Sequence, residues 1–120
     1  MTNKEIGKYG EDLAKDFLIK KGYEVIEANF RYSKMAEIDI IAKKDNIIHF
    51  VEVKTRTSEF FGTPLEAIGK KKLASIYHAG LFYIQNYGKK SPKFQIDAIG
   101  IVLDKDKKPT FTFIENVEIN

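Results

Sequence analysis

Residues 37–54 read EIDIIAKKDNIIHFVEVK and decide how this chain folds. Two runs rich in β-branched residues, 37–43 and 47–54, flank the polar pair Asp45-Asn46. Runs of this kind on either side of a two-residue turn are typical of a β-hairpin. We therefore predict two antiparallel strands joined at Asp45-Asn46.

The predicted hairpin determines which charged side chains meet. Residues equidistant from the turn face each other, so Asp39 opposes Glu52 and Glu37 opposes Lys54. Two carboxylates opposed this closely repel each other unless a cation or a shared proton lies between them. The spacing therefore points to a metal site. The charged face also carries Ile41, Ile48 and Phe50, and the opposite face is predicted to be a core set of Ile38, Ile40, Val51 and Val53.

Carboxylate oxygens without nitrogen or sulfur ligands favour a hard cation, Mg²⁺ or Mn²⁺. The carbonyl oxygen of Val53 is a further candidate ligand beside Asp39 and Glu52. Such an ion polarises a phosphodiester and activates water for attack. Lys54 lies two residues beyond Glu52 on the same face, where its ammonium could orient water or stabilise charge in the transition state.

A purely structural alternative is a cluster of ion pairs. In that interpretation Glu37 pairs with Lys54, and Asp39 and Glu52 pair with Arg56 or other lysines. The spacing leaves both interpretations open. Further along, Asp97 lies in an apolar strand and needs a partner, for which we expect a lysine or an arginine.

The rest of the chain predicts the order α-β-β-β-α-β-β, an α/β fold with a mixed sheet flanked by helices in one domain over residues 1–120. A capping box of Thr2 and Glu5 begins the first helix and Gly22 ends it. The second helix is predicted to begin at Thr63-Pro64, with Glu66 completing a capping box, and to end at Gly88. The predicted strands outside the hairpin are 23–29, 94–103 and 110–114, with a polar loop over 30–36.

Composition excludes several classes of protein. The chain has 120 residues, 43% of them hydrophobic and 31% charged, which is typical of a soluble globular domain. It has no cysteine, which excludes disulfides, thiolate zinc sites and cysteine nucleophiles. The first five residues lack the apolar core of a signal peptide and no apolar run is long enough for a membrane helix, so we expect a cytoplasmic protein.

The net charge of +3 does not by itself imply nucleic acid. Lysines do cluster, most densely at Lys70, Lys71 and Lys72. Lysine is suited to contacts with backbone phosphates, which do not recognise the base sequence. A solvated, lysine-rich surface is the alternative. His49 and the aromatic group Tyr77, Phe82, Tyr83 and Tyr87 are interpreted as core residues, with base stacking as the alternative for the aromatic group.

Asp39, followed after twelve residues by Glu52-Val53-Lys54, resembles the PD-(D/E)-x-K signature of nucleases with a restriction-endonuclease-like fold. Within that fold the chain is similar to the bacterial YraN family, which is related to Holliday junction resolvases. The similarity covers nearly all of the chain. It is carried by GKYGEDLA at 7–14, GY at 22–23, NFR at 29–31, EIDII at 37–41, FVEVKTR at 50–56 and GTP at 62–64.

The resemblance implies a metal-dependent endonuclease acting on branched or otherwise structured DNA. Asp39 and Glu52 would be its metal ligands, Lys54 its catalytic lysine and Glu11 an acid with an accessory metal role. Glu37 matches the acid of the family's G-E-I-D segment, with Ala36 in place of the glycine. Gln95-Ile96-Asp97 stands where the family tends to carry Arg-Phe-Asp.

The partner implied is DNA, whose backbone phosphates Arg56 and the lysines at 70–72 would contact. A homodimer is a further expectation from the resemblance, because a DNA junction has two strands to cut. The alternative function is a non-catalytic nucleic-acid-binding or protein-interaction module that retains the nuclease-like fold.

Overall fold

Two helices and five strands follow one another in the predicted order. The computed structural model describes residues 1–34, 36–57, 65, 68–87 and 92–117. Its elements are α1 (Asn3–Lys20), β1 (Glu24–Ser33), β2 (Ala36–Lys44), β3 (Ile47–Thr57), α2 (Lys70–Gln85), β4 (Lys93–Leu103) and β5 (Pro109–Ile114). Neither of these helices is long and apolar enough to cross a membrane.

The five strands form one mixed sheet in the order β1-β2-β3-β4-β5. β3 and β4 are parallel, and every other neighbouring pair is antiparallel. A parallel pair needs a long crossover, which here contains α2. α1 packs on one face of the sheet and α2 on the other, so the sheet is buried on both faces and the predicted α/β fold class is confirmed.

The hairpin of β2 and β3 has the predicted turn and register. Asp45 and Asn46 have φ angles of 52° and 63°. Two consecutive positive φ angles are typical of a type I′ turn, whose twist matches that of the strands. The ladder runs from Lys44 opposite Ile47 to Ile40 opposite Val51.

Both ends of α1 also follow the prediction. Thr2 Oγ1 accepts the N–H of Glu5, and the carboxylate of Glu5 accepts the N–H of Thr2. At the other end Gly22 has a φ of 92°, a conformation that glycine adopts at little cost. The N–H of Tyr23 donates to the Leu18 carbonyl, which is the Schellman pattern.

β1 is longer than predicted. The loop expected over 30–36 begins only after Ser33, because Phe30 pairs with Ile38 and Arg31 pairs with Glu37. Polar residues can continue a strand at the edge of a sheet. The polarity of residues 30–33 therefore did not mark the end of β1. The extension matters because it brings Arg31 alongside Glu37 of β2.

The second helix begins later than predicted. α2 starts at Lys70, after Gly69 in an extended conformation, whereas the N–H of Ile68 closes a separate turn on the Leu65 carbonyl. The predicted start at Thr63-Pro64, with Glu66, and the predicted end at Gly88 lie outside the described residues. A periodic apolar pattern continued through Leu65 and Ile68 without revealing the break at Gly69.

The predicted faces of β2 are only partly correct. Ile40 and Val51 pack on the α1 side as expected, but Ile38 packs on the α2 side with Ile41 and Phe50. Strict alternation would place Ile38 and Ile40 together. The alternation therefore breaks at Asp39, the residue between them.

α1 crosses β3 at Gly10, which is buried. A Cβ atom there would lie 1.8 Å from Thr55 Oγ1 and 2.8 Å from Thr55 Cβ. We expect Gly10→Ala to lower the free energy of unfolding by about 1–3 kcal/mol, because no rotation of a β-branched side chain clears both contacts. Urea unfolding monitored by circular dichroism measures this loss.

Gly7→Ala is the matched control. Among the described residues, no atom beyond the neighbouring residues and the backbone of α1 lies within 4 Å of a Cβ built at Gly7, so this substitution is expected to leave stability unchanged or raise it by up to about 1 kcal/mol. Equal unfolding midpoints for the two variants would contradict the close approach of α1 to β3.

Candidate metal centre

Asp39 on β2 and Glu52 on β3 lie side by side, as the spacing predicts. Asp39 Oδ2 accepts the backbone N–H of Val53 at 2.8 Å, which holds its carboxylate between the two strands. The Glu52 side chain is 2% exposed and within hydrogen-bonding reach of the Asp39 carboxyl. The break in alternation at Asp39 thus aims its carboxylate at β3.

Burial raises the pKa of Glu52 from its ordinary value of 4.5 to about 8. The hydrogen bond with Asp39 and repulsion from the Asp39 charge add to this rise, and the positive charges of Lys72 and Lys54 oppose it. Among the described residues no donor reaches the buried Glu52 Oε1. An ionised Glu52 therefore needs a cation beside that oxygen, and a protonated one shares its proton with Asp39.

This donor set fits a hard divalent cation. In the part of the chain that the structure describes, no three acidic or histidine side chains gather around one point, so Asp39 and Glu52 would be the only side-chain ligands. Mg²⁺ commonly binds proteins through one or two carboxylates and completes its shell with water and phosphate oxygens. Val53 is tied to the pair through its N–H, and the ligand role of its carbonyl stays a prediction.

Glu11 of α1 approaches the pair from the other side of the sheet. Burial raises the pKa of Glu11, and repulsion from Asp39 and Glu37 adds to the rise. Asn29, at a φ of 55°, offsets part of this repulsion. With its amide nitrogen facing the carboxylates, Asn29 donates to Glu11 Oε1 at 3.2 Å and to Glu37 Oε1 at 3.1 Å.

The ion-pair interpretation was wrong about the partner of Glu37. The Arg31 guanidinium donates to Glu37 Oε2 at 2.8 Å, in place of the expected Lys54. Neither Asn29 nor Arg31 had been given a role from the sequence. The signals for Asn29 were its position as a polar residue in a strand and its place in the motif NFR at 29–31, and the loop predicted at 30–36 concealed the pairing of Arg31 with Glu37.

The basic residues predicted to bind DNA differ in position. Lys72 Nζ lies 3.7 Å from Glu52 Oε2, so this lysine belongs to the acid pair. Lys70 and Lys71 are exposed on the same turn of α2. Arg56 is half-buried near the end of β3 and lines a cavity between that strand and the start of α1.

Asp97 has a different partner from the lysine or arginine expected. His49 Nδ1 lies 2.6 Å from Asp97 Oδ2, and both side chains are buried, so His49 is a core residue as predicted. Asp97 Oδ1 accepts from Gln95 Nε2 at 2.8 Å and from the Asn116 N–H at 2.9 Å. These contacts give Asp97 a structural role away from the acid pair.

The aromatic residues of α2, and Tyr87 just beyond its end, are not all core. Tyr83 is partly buried and packs against the cluster on the α2 side, but Tyr77, Phe82 and Tyr87 are exposed. The Phe82 ring lies 4.8 Å from that of Tyr32 on β1. Helical periodicity showed which residues share a face, but it could not show how far the sheet covers that face.

The raised pKa of Glu52 makes metal-free stability depend on pH. Between pH 4.5 and about 8 the folded state keeps a proton that the unfolded chain releases, so stability falls as pH rises through this window. The expected slope from this group is about 1.4 kcal/mol per pH unit. Urea unfolding at several pH values in the presence of a chelator measures it.

Glu52→Gln should remove that slope and be more stable than wild type above pH 8. Glu24→Gln, which changes an exposed glutamate on β1, should keep the slope. The same pH dependence in wild type and Glu52→Gln would mean that Glu52 does not hold a proton in the folded state.

Comparison with known proteins places the chain in a family. Residues 10–101 match the model of "Uncharacterised protein family UPF0102". A UPF0102 protein of Syntrophomonas wolfei is 38% identical over 88% of this chain and 90% of its own length. Another from Dictyoglomus thermophilum is 42% identical over 90% of this chain and 91% of its own. The chain belongs to the UPF0102 family.

Proposed function

We propose that this chain is a metal-dependent endonuclease that hydrolyses phosphodiester bonds in branched or otherwise structured DNA. The observation that carries the proposal is the contact between Asp39 and Glu52, where the buried Glu52 Oε1 has no donor from any residue that the structure describes. The resemblance of Asp39 and Glu52-Val53-Lys54 to a nuclease signature supports the same conclusion.

The protein groups have separate roles in this proposal. Asp39 and Glu52, with the carbonyl of Val53, hold Mg²⁺ or Mn²⁺, which when bound polarises the phosphodiester and lowers the pKa of water. The N–H of Val53 orients the Asp39 carboxylate before any ion arrives. Glu11, whose pKa is raised by burial and by Asp39, holds an accessory negative charge on the α1 side.

Lys54 supplies positive charge to the reacting phosphate. It follows Glu52 by two residues on β3, which places both on one face, and its charge acts on Glu52. A protonated lysine is a poor base, so its contribution is to orient water and to stabilise charge that develops on the phosphate oxygens.

The start of α2 suits the phosphates of the substrate backbone. Gly69 precedes the helix and provides no side-chain cap, so its first N–H groups point outward. Lys70, Lys71 and Lys72 occupy the first turn, where positive charge is unfavourable to the helix dipole. Phosphate binding would offset that cost. Arg56 adds a further phosphate contact, and a homodimer would present two such centres to a junction.

Substitution of the proposed site tests the reaction. Asp39→Asn and Lys54→Met are each expected to lower the rate of cleavage by at least about 100-fold, because each removes charge that acts on the transition state. The measurement is single-turnover cleavage of four-way junction, flap and linear duplex DNA with Mg²⁺ or Mn²⁺. Lys43→Met is the control, since Lys43 lies opposite Ile48, away from the acid pair.

Equal cleavage by wild type and Asp39→Asn would overturn the assignment of the centre. The alternative module predicts a different pattern, namely salt-sensitive DNA binding that survives Glu52→Ala and no cleavage with either cation.

A further inference from the structure

We propose that Lys72 is the resident counter-cation of Glu52, that a divalent cation displaces it, and that the released ammonium then binds a phosphate of the nucleic acid. The inference rests on the proposed role of Asp39 and Glu52 as a cation site. The new element is that Lys72 exchanges one partner, Glu52, for another, a phosphate of the nucleic acid.

The geometry gives Lys72 access to both partners. Its Nζ lies 3.7 Å from Glu52 Oε2, which is an ion-pair distance but longer than a hydrogen bond. The Glu52 side chain is 2% exposed, whereas that of Lys72 is 39% exposed. The ammonium therefore reaches the buried carboxylate from the solvent side and can leave it without repacking of the core.

An ammonium at this position competes with a divalent cation for the same carboxylate. Removing it strengthens the binding of any positive ion, including a proton. Suppose that removing the ammonium raises the affinity for a proton by a certain factor. A divalent cation carries twice the charge of a proton, so the electrostatic gain doubles and its affinity rises by about the square of that factor. Loss of the ammonium should therefore strengthen cation binding whether or not Glu52 starts out protonated.

The two neighbouring lysines do not share this position. Lys70 and Lys71 belong to the same helical turn and carry the same charge, but they are exposed. Within the described residues, the lysine of this turn that forms an ion pair with Glu52 is Lys72. Lys71→Gln therefore repeats the change in net charge without touching the acid pair.

The exchange couples two binding events. Glu52 and Asp39 keep one negative charge between them even when they share a proton, so the charge of Lys72 is partly neutralised while it lies against Glu52. Displacement by a cation makes that charge available to a phosphate. Cation binding should then strengthen nucleic-acid binding, and nucleic acid should strengthen cation binding by the same factor. Ca²⁺ provides a probe of this coupling, because it binds oxygen ligands as Mg²⁺ does.

The first measurement is calorimetric titration of Mg²⁺ into the metal-free full chain. Lys72→Gln is expected to bind Mg²⁺ about 3- to 10-fold more tightly than wild type, a range appropriate to a partly exposed ion pair. Lys71→Gln should stay within about twofold of wild type, and Lys72→Arg should resemble wild type because it keeps the charge. Thermal unfolding of each variant confirms that it is folded.

The second measurement is fluorescence anisotropy of a labelled four-way junction with Ca²⁺ or with a chelator. Ca²⁺ should raise the affinity of wild type and of Lys71→Gln by the same factor, and raise that of Lys72→Gln by a clearly smaller one. Equal factors for all three proteins would overturn the transfer of the ammonium to phosphate.

Different experimental results would overturn the inference about Lys72 and the proposed nuclease function. Wild type that binds Mg²⁺, with Lys72→Gln binding no more tightly than Lys71→Gln, overturns the competition and leaves the nuclease proposal standing. Tighter binding by Lys72→Gln in a protein that cleaves no DNA supports the competition and overturns the nuclease. Wild type that binds neither Mg²⁺ nor Mn²⁺ overturns both.

Discussion

The contact between Asp39, which is half-buried, and Glu52, which is buried, is the constraint on which the site depends. The N–H of Val53 holds the carboxylate of Asp39, and Glu52 is almost completely covered, so water screens the charge of Glu52 poorly. Burial disfavours the charge of Glu52, and the neighbouring acid disfavours it again. A fold that keeps this contact gives up stability at neutral pH in return for a position where positive charge is strongly favoured.

The sheet builds this contact from backbone features. The left-handed turn at Asp45-Asn46 fixes the hairpin register, and the break in alternation at Asp39 turns its carboxylate toward the N–H of Val53. The close approach of α1 at Gly10 then places the next residue, Glu11, near Asp39. Each feature involves few residues, yet together they bring Asp39 against Glu52 and place Glu11 where its charge acts on Asp39.

The hairpin and its acids were predictable because they depend on local signals. A turn dipeptide between two apolar runs determines the register, which makes Asp39 and Glu52 the next residues beyond the pair of Ile40 and Val51. The start of α2 and the end of β1 were not predictable in this way. The first depends on an extended Gly69, and the second depends on pairing with residues that lie later in the chain.

The partners of the charged groups were harder still to predict. Arg31, Lys72 and His49 were available to many acids, and only the packing of β1, α2 and β4 decides which acid each one meets. Sequence spacing can relate two residues within one hairpin, but not a helix side chain to the strand beneath it. The sequence therefore predicted the pair of acids, but it did not predict the residues that surround them.

The buried contact between His49 and Asp97 has a consequence for the acid pair, although it lies apart from it. His49 precedes Glu52 by three residues on β3, and Asp97 lies on the neighbouring parallel strand. A slip of one residue between these strands would separate the imidazole from its acceptor and also turn Glu52 to the opposite face of the sheet. The imidazole and its acceptor thus act as a register lock between β3 and β4, which penalises any alignment of these two strands that would put Glu52 on the wrong face.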